Sequence, residues 1–413
     1  MIVAGQSRLR WRLSLLMFLL YAPPGAIVPL FSLWLQEDLK FTPREIGWAC
    51  AAQSLAPLLA PLAAGQIADR WIAAERCLSL CAFAAGGLLW LMAELHSFPA
   101  ICAVYLACWI FLVPVVTLGT SLCFAHLPWP EGNFGRVRLW GTIGWVASIW
   151  LLSYWFENAE WVGACLAWAR PENPTSQRAD MFRLAGLLSA ILGIYALTLP
   201  HTPPTRKGGA WLAPLAAMKL LRGRAFAVYM AVTLGLCVTL PFAGQTTPLL
   251  LEQLEIPLPW LCRTLTIGQS MEVAALALLP MLLLRLGTRG TMQLGLAAWA
   301  LALTLLMIGE PLGLVIGSLT LNGLCICCFM VAGQVFVNRQ ARGDIRASAQ
   351  GLLTFANGIG LLAGNVLAGE VRTLAGGGFP ATLAVAAAIA VCLAGVFFVG
   401  FPDDEASEEK SVE

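Results

Sequence analysis

Apolar residues run along this chain in long unbroken blocks, without the alternation of half-buried strands or the one-sided stripe of soluble helices. A hydrocarbon core about 30 Å thick needs roughly 20 apolar residues in a helix rising about 1.5 Å per residue. Twelve blocks reach that length: 13–36, 45–68, 76–95, 99–124, 136–156, 181–199, 225–251, 260–284, 291–309, 312–337, 348–369 and 379–401, of which 348–369 is the most polar. Inside a bilayer every backbone amide and carbonyl must be bonded within its own segment, so each block predicts a helix. The pattern predicts an all-α integral membrane protein of two six-helix bundles, 1–199 and 225–401. A basic stretch at 200–224, opening His201-Thr-Pro-Pro-Thr-Arg-Lys-Gly-Gly209, reads as the cytoplasmic linker between them, and 402–413 as a disordered, solvating cytoplasmic tail.

Composition sharpens this picture. The chain is 59% hydrophobic and 12% charged, with a mean hydropathy of +0.77. A net charge of +2 spread over connecting loops offers no footprint for nucleic acid. The 13 cysteines lie almost entirely inside apolar blocks, where a thiol is a small hydrophobe. Cys325, Cys327 and Cys328 have no histidine near them in sequence, and no metal or cofactor site is expected. His96, His126 and His201 all fall at block ends. With no catalytic pairing at depth and no soluble domain, an enzyme is not expected. A non-transporting sensor is a distant alternative, since neither tail is long enough to signal.

The basic residues set the orientation. Of 25 Lys and Arg, only Lys40, Arg44, Arg170, Arg178, Arg183, Arg263 and Arg372 fall on one side, and the rest share the side of the two termini. Both termini are therefore expected in the cytoplasm, in a cell (inner) membrane. Leu13 to Leu20 after three arginines loosely imitates a signal peptide, but the apolar run continues to Leu35. Ala22-Pro-Pro-Gly25 then reads as a kink beside a cavity.

Few ionisable residues interrupt the blocks, and those few carry the candidate chemistry. Glu272 sits at the centre of 260–284. A carboxylate there disfavours insertion by roughly 2.5–3.5 kcal/mol, so it is expected to face a cavity or a pairing group on a neighbouring helix. Gln269 lies one turn before it, on the same helix face. In the fifth block Arg138, Thr142 and Trp145 stand at i, i+4 and i+7, stacking a guanidinium, a hydroxyl and an indole along one face. Such a trio suits a ligand with hydroxyls and a flat ring. It equally suits a snorkelling arginine, a self-bonded threonine and a packed tryptophan.

Gly65-Gln-Ile-Ala-Asp69-Arg70-Trp71 follows the second block, and Arg285-Leu-Gly-Thr-Arg289-Gly290 follows the eighth, the equivalent place in the second half. That echo supports duplication of a six-helix half. Gly65–Trp71, Phe134-Gly-Arg-Val-Arg-Leu-Trp-Gly-Thr-Ile-Gly-Trp145, Leu199-Pro-His-Thr-Pro203, Ile267-Gly-Gln-Ser-Met-Glu272 and Ile345-Arg-Ala-Ser-Ala-Gln-Gly351 carry a resemblance over nearly the whole length. The chain resembles the major facilitator superfamily and, within it, the nucleoside:proton symporters; the fifth-block motif is also similar to that of the lactose:proton symporters.

The resemblance implies proton-coupled uptake of a small polar solute, a nucleoside in the first instance, by rocking of two bundles in a protein that works as a monomer. It implies substrate contacts from Arg138, Thr142, Trp145, Gln269, Glu272 and Asn322, the helix-five face opposing the helix-eight face. Desolvation favours the neutral form of a carboxyl group, which makes Glu272 the candidate proton carrier as well. Asp69 and Arg70 would latch a cytoplasmic gate, the plain alternative being a helix cap in a loop. Arg346 and Gln350 read as gate or packing residues. Several positions depart from the nucleoside pattern. Thr239 and Phe242 replace two amides on helix seven; Asn322 and Ile326 replace an aromatic pair on helix ten, with Cys327 at the neighbouring acidic position. Thr120 and Ser121 stand where lactose-type proteins place a carboxylate. Gln245, Asn322 and Asn357 are possible replacement contacts or ordinary interhelical glue. A sugar or glycoside symporter, or an uncoupled facilitator of the same fold, remains the alternative.

Overall fold

A computed structural model describes residues 2–70, 72–127, 130–165, 176–203, 218–341 and 346–402; side chains of 2–8, 59–70, 130–133, 163, 165, 346 and 347 lie outside that description. Among the described residues there is no strand. The first passage is α1 (Ile2–Ile27), a 3-10 turn (Val28–Leu30) and α2 (Phe31–Glu37). Then come α3 (Pro43–Arg70), α4 (Ala74–Met92), α5 (Phe98–His126), α6 (Pro130–Glu157), a short α7 (Ala159–Cys165) and α8 (Asp180–Ala196). The second half holds α9 (Arg224–Gln253), α10 (Leu258–Leu265), α11 (Ile267–Ile308) and α12 (Leu312–Cys325). A π-helix (Ile326–Val331) leads into α13 (Ala332–Gln340), and α14 (Arg346–Leu374) and α15 (Phe379–Gly400) close the chain.

Among the described residues eight helical stretches are long and apolar enough to cross a membrane. One of them, Leu258–Ile308, holds two passages, because Gly287 at φ 66° and ψ 179° reverses the chain inside α11. An L side chain rarely tolerates that conformation, so glycine is the residue that can join the eighth and ninth passages without a loop. With α3, α6 and α8 the passages number twelve, as the apolar blocks predict.

The chain packs as two units. The first comprises Met1–Phe41, Leu55–Gly208 and Ile256–Arg263. In it α1 lies against α6 and α8, and α4 against α5 and α8. Leu13, Leu16 and Leu20 of α1 are fully buried with Leu78 of α4, Leu122 of α5 and Leu192 of α8. Lipid tails are as apolar as these side chains, so close fit rather than water exclusion holds the helices together. The α1–α6 fit is tightest at Gly144, where a Cβ would collide with the Phe18 carbonyl.

A buried ion cluster ties the start of α8 to its neighbours. Arg183 and Asp180 are both fully buried and 2.6 Å apart. Arg183 also reaches Glu94 at 2.5 Å, and the Trp155 indole donates to Asp180 at 3.1 Å. Residues 256–263 belong here too, through an Arg263–Glu157 ion pair at 2.7 Å and a bond from Ser153 to the Pro259 carbonyl.

The second unit comprises Thr42–Ser54, Gly209–Glu255 and Thr264–Glu413. There α11 packs on α12 and α15, and α9 on α14 and α15. Tyr229, Phe329, Phe397 and Phe401 form a column of ring contacts 4.6–5.9 Å between centroids. Thr42 and Glu45 exchange hydrogen bonds in a capping box around Pro43, which starts α3 where it does. Arg44 pairs with Glu370 at 2.7 Å, and Asn365 bonds both Gln245 and Ser54.

Candidate functional site

Helix α6 presents Arg138, Thr142 and Trp145 along one face, all three half-buried, while Leu139, Ile143 and Trp150 on other faces are exposed. The Arg138 guanidinium lies 4.2 Å above the ring of Tyr21 on α1. Gly141 makes room for that stack, since a Cβ there would sit 2.8 Å from Arg138 Nη1 and 2.7 Å from the Tyr21 ring. Trp145 is seated by Gly25, whose Cβ would lie 2.8 Å from the Trp145 Cα. The Trp145 indole Nε1–H is buried and meets no acceptor among the described residues.

Tyr21 is a member of this group that the sequence did not single out. Its signal was its place immediately before the Ala22-Pro-Pro-Gly25 kink. With Pro23 and Pro24 inside α1, two backbone donors are missing there, and α1 gives way after Ile27 to a 3-10 turn.

In the second unit Gln269 and Glu272 share one face near the start of α11 and are half-buried. Gln269 Oε1 is buried and accepts no hydrogen bond from any described residue. Helix α12 lies directly against this turn. A Cβ on Gly323 would sit 2.8 Å from the Glu272 amide nitrogen and would collide with the Gly268 carbonyl. Cys327, one turn beyond Gly323, is buried within electrostatic reach of Glu272. It lies in the π-helix, a departure that re-aims side chains and recurs at functional sites.

Asn322 lines a cavity of about 10 Å³ with Thr247, Trp299, Ser318 and Leu319. Other polar positions are spoken for within the fold. Thr239 is fully buried, donating to the Leu236 carbonyl and accepting from the Trp299 indole. Gln245 is bound to Asn365, and Asn357 accepts from the Cys237 thiol. Thr120 bonds back to the Val116 carbonyl. Gln350 donates to Gln334 and Asn338. In the Leu199–Pro203 motif, His201 and the Thr202 amide both bind Glu75, which fastens the end of α8 to the start of α4. The side chains of Asp69, Arg70 and Arg346, and residues 403–413 of the tail, lie outside the described part. Among the described residues no group of three His, Cys, Asp or Glu is placed to hold a metal ion.

The sequence matches the family described as Nucleoside H+ symporter over residues 7–406. It is 30% identical to the putative nucleoside transporter YegT of Escherichia coli over 373 residues, covering 87% of this chain and 83% of that one. It is 26% identical to the xanthosine permease of the same organism, covering 94% and 95%. In three dimensions it is similar to the crystal structure of the nucleoside transporter NupG, with a TM-score of 0.80 at 23% identity, covering 96% of this chain and 100% of that one. A family match over nearly the whole length, shared with permeases, establishes what kind of protein this is: the chain belongs to the nucleoside:proton symporter family of membrane transporters.

Proposed function

We propose that this protein takes up nucleosides together with protons across a bacterial inner membrane, with both termini in the cytoplasm and one chain sufficient for transport. The residues assigned to the nucleoside are Arg138, Thr142 and Trp145 on α6 and Gln269 and Glu272 on α11. The observation that supports this most is a pair of orphaned atoms. Trp145 Nε1–H lacks an acceptor and Gln269 Oε1 lacks a donor among the described residues. A buried polar atom left unmatched costs about 1–3 kcal/mol, so each favours a ligand that completes it. A nucleoside carries ring and ribose acceptors for the indole, and exocyclic or hydroxyl donors for the amide. Asn322 contributes from the neighbouring cavity, through a water or by turning its amide.

Glu272 carries the proton. Once neutralised and loaded with substrate, the site no longer holds a bare carboxylate, and the conformational change meets a lower barrier. Asp69 and Arg70 act at the cytoplasmic gate. The test is uptake of radiolabelled nucleoside by purified protein in sealed proteoliposomes. An inward proton gradient is expected to drive accumulation above equilibrium, and Glu272→Gln to leave exchange but no accumulation. Uptake indifferent to the gradient would rule out symport; no uptake of any nucleoside, with sugars transported instead, would rule out the substrate class.

A further inference from the structure

On the other side of α6 from Arg138 the first unit has a second, unassigned feature. Residues 136 and 138 are two apart on a helix and so point to nearly opposite faces, and Arg136 shares its face with Trp140. Trp140 borders a groove of about 480 Å³ whose other walls include Trp11, Leu15 and Phe18 of α1 and Tyr195 of α8. That volume is typical of a ligand-sized cleft. The groove is apolar along its length: Trp11 is 62% and Leu15 45% exposed, and Trp11 meets Trp140 edge to face at 5.5 Å.

Its floor is fixed. The Tyr195 hydroxyl donates to the Arg12 carbonyl at 2.8 Å, and the Arg12 guanidinium holds the Thr198 carbonyl. At one end the groove runs into a recess of about 80 Å³ that shares Trp11, Ser14 and Trp140 and adds Arg10 and Arg136. Among the described residues neither arginine has a carboxylate partner.

We propose that this groove binds one anionic phospholipid, its phosphate held by Arg10 and Arg136 and an acyl chain lying along Trp11, Leu15 and Phe18. Charge and polarity are arranged as such a molecule requires. Two cations stand at one end, the Trp11 and Trp140 rings border both the recess and the groove, and an open hydrocarbon surface follows. A free phosphate would satisfy only the recess, and a zwitterionic lipid would bring its own cation against the arginines. The site is separate from the nucleoside contacts, and its occupancy does not depend on them.

The experiment compares retained lipid and thermal stability of the purified full chain. Phosphatidylglycerol, phosphatidylcholine or inorganic phosphate is added to delipidated protein in detergent, with native mass spectrometry counting bound lipids. Phosphatidylglycerol is expected to be retained in one more copy than phosphatidylcholine and to raise the unfolding temperature further. Arg10→Gln with Arg136→Gln should weaken that preference about tenfold while nucleoside binding persists. Arg136→Gln alone, at an exposed position, should show a smaller loss in the same direction should the double variant fold poorly. Arg222→Gln, outside the groove, should leave the preference intact. Equal retention of the two lipids, an unchanged preference in both groove variants, an equal loss in Arg222→Gln, or equal stabilisation by inorganic phosphate would each overturn the proposal.

Discussion

The backbone of Glu272 rests directly on Gly323: a methyl group added to the glycine would lie 2.8 Å from the Glu272 amide nitrogen. The proposed proton carrier is thus positioned by a bare stretch of the tenth passage. Gly323→Ala must push α12 away from α11 or displace Glu272. Overpacking of this kind costs about 1–3 kcal/mol, so thermal unfolding should fall by several degrees. Transport should suffer more than nucleoside binding, and a variant transporting normally would show that the contact does not position the acid.

Trp145→Phe keeps a ring in place and deletes the orphaned N–H. In the ligand-free protein this removes an unmatched buried donor, and stability should hold or rise by up to about 1 kcal/mol. Nucleoside affinity, measured by calorimetry, should fall roughly 2–10-fold for one lost hydrogen bond. Opposite signs in the two measurements are the signature; a loss in both would mean that the indole serves packing only.

Arg138 and Tyr21 should act as a pair. Arg138→Lys keeps the charge but loses the planar fork and its stack on the ring, and should weaken nucleoside binding by about tenfold. If the stack orients the guanidinium, Tyr21→Leu will cost much less once Arg138 is already lysine. A double-mutant cycle on binding should return a coupling of about 0.5–2 kcal/mol, and strict additivity would separate the two residues.

The Asp180–Arg183 pair tests the architecture rather than the site. Both side chains are fully buried. Asp180→Ala leaves the guanidinium with Glu94 alone and should destabilise the protein by about 3–5 kcal/mol, read as a lowered unfolding temperature. A shift within about 0.5 kcal/mol would mean that Glu94 suffices.

A pH dependence follows from Asp38, just beyond α2. Burial pushes its carboxyl above the ordinary value of 3.8, against the pull of Arg178 at 3.5 Å and of the Ser176 hydroxyl. The folded chain therefore binds this proton more tightly than the unfolded one. The resulting stability is fully present below pH 3.8 and is lost as pH rises through the raised value. Unfolding curves of the parent and Asp38→Asn, taken from about pH 4 to about pH 7, should diverge in the variant's favour as pH rises; parallel curves would contradict the assignment.

Hydropathy made the passages legible because a bilayer demands length and apolarity from every crossing, and even the polar 348–369 block forms α14. Its polarity is explained by partners that sequence spacing cannot show: Asn365 bonds Gln245, Ser54 and the Leu361 carbonyl. The helix faces of Arg138, Thr142 and Trp145 and of Gln269 and Glu272 were readable from periodicity. What each touches was not, because contacts such as Arg138 on Tyr21 join residues far apart in the chain. Arg183 shows the same limit. It reads as an outer-loop charge by position, yet it is fully buried because α8 begins with a carboxylate one turn earlier.

Gly287 has a further mechanical meaning. A single residue turns the eighth passage into the ninth, leaving no slack between them. The junction between the helix that bears Gln269 and Glu272 and the next crossing therefore hangs on one backbone conformation, and a side chain at position 287 would strain it.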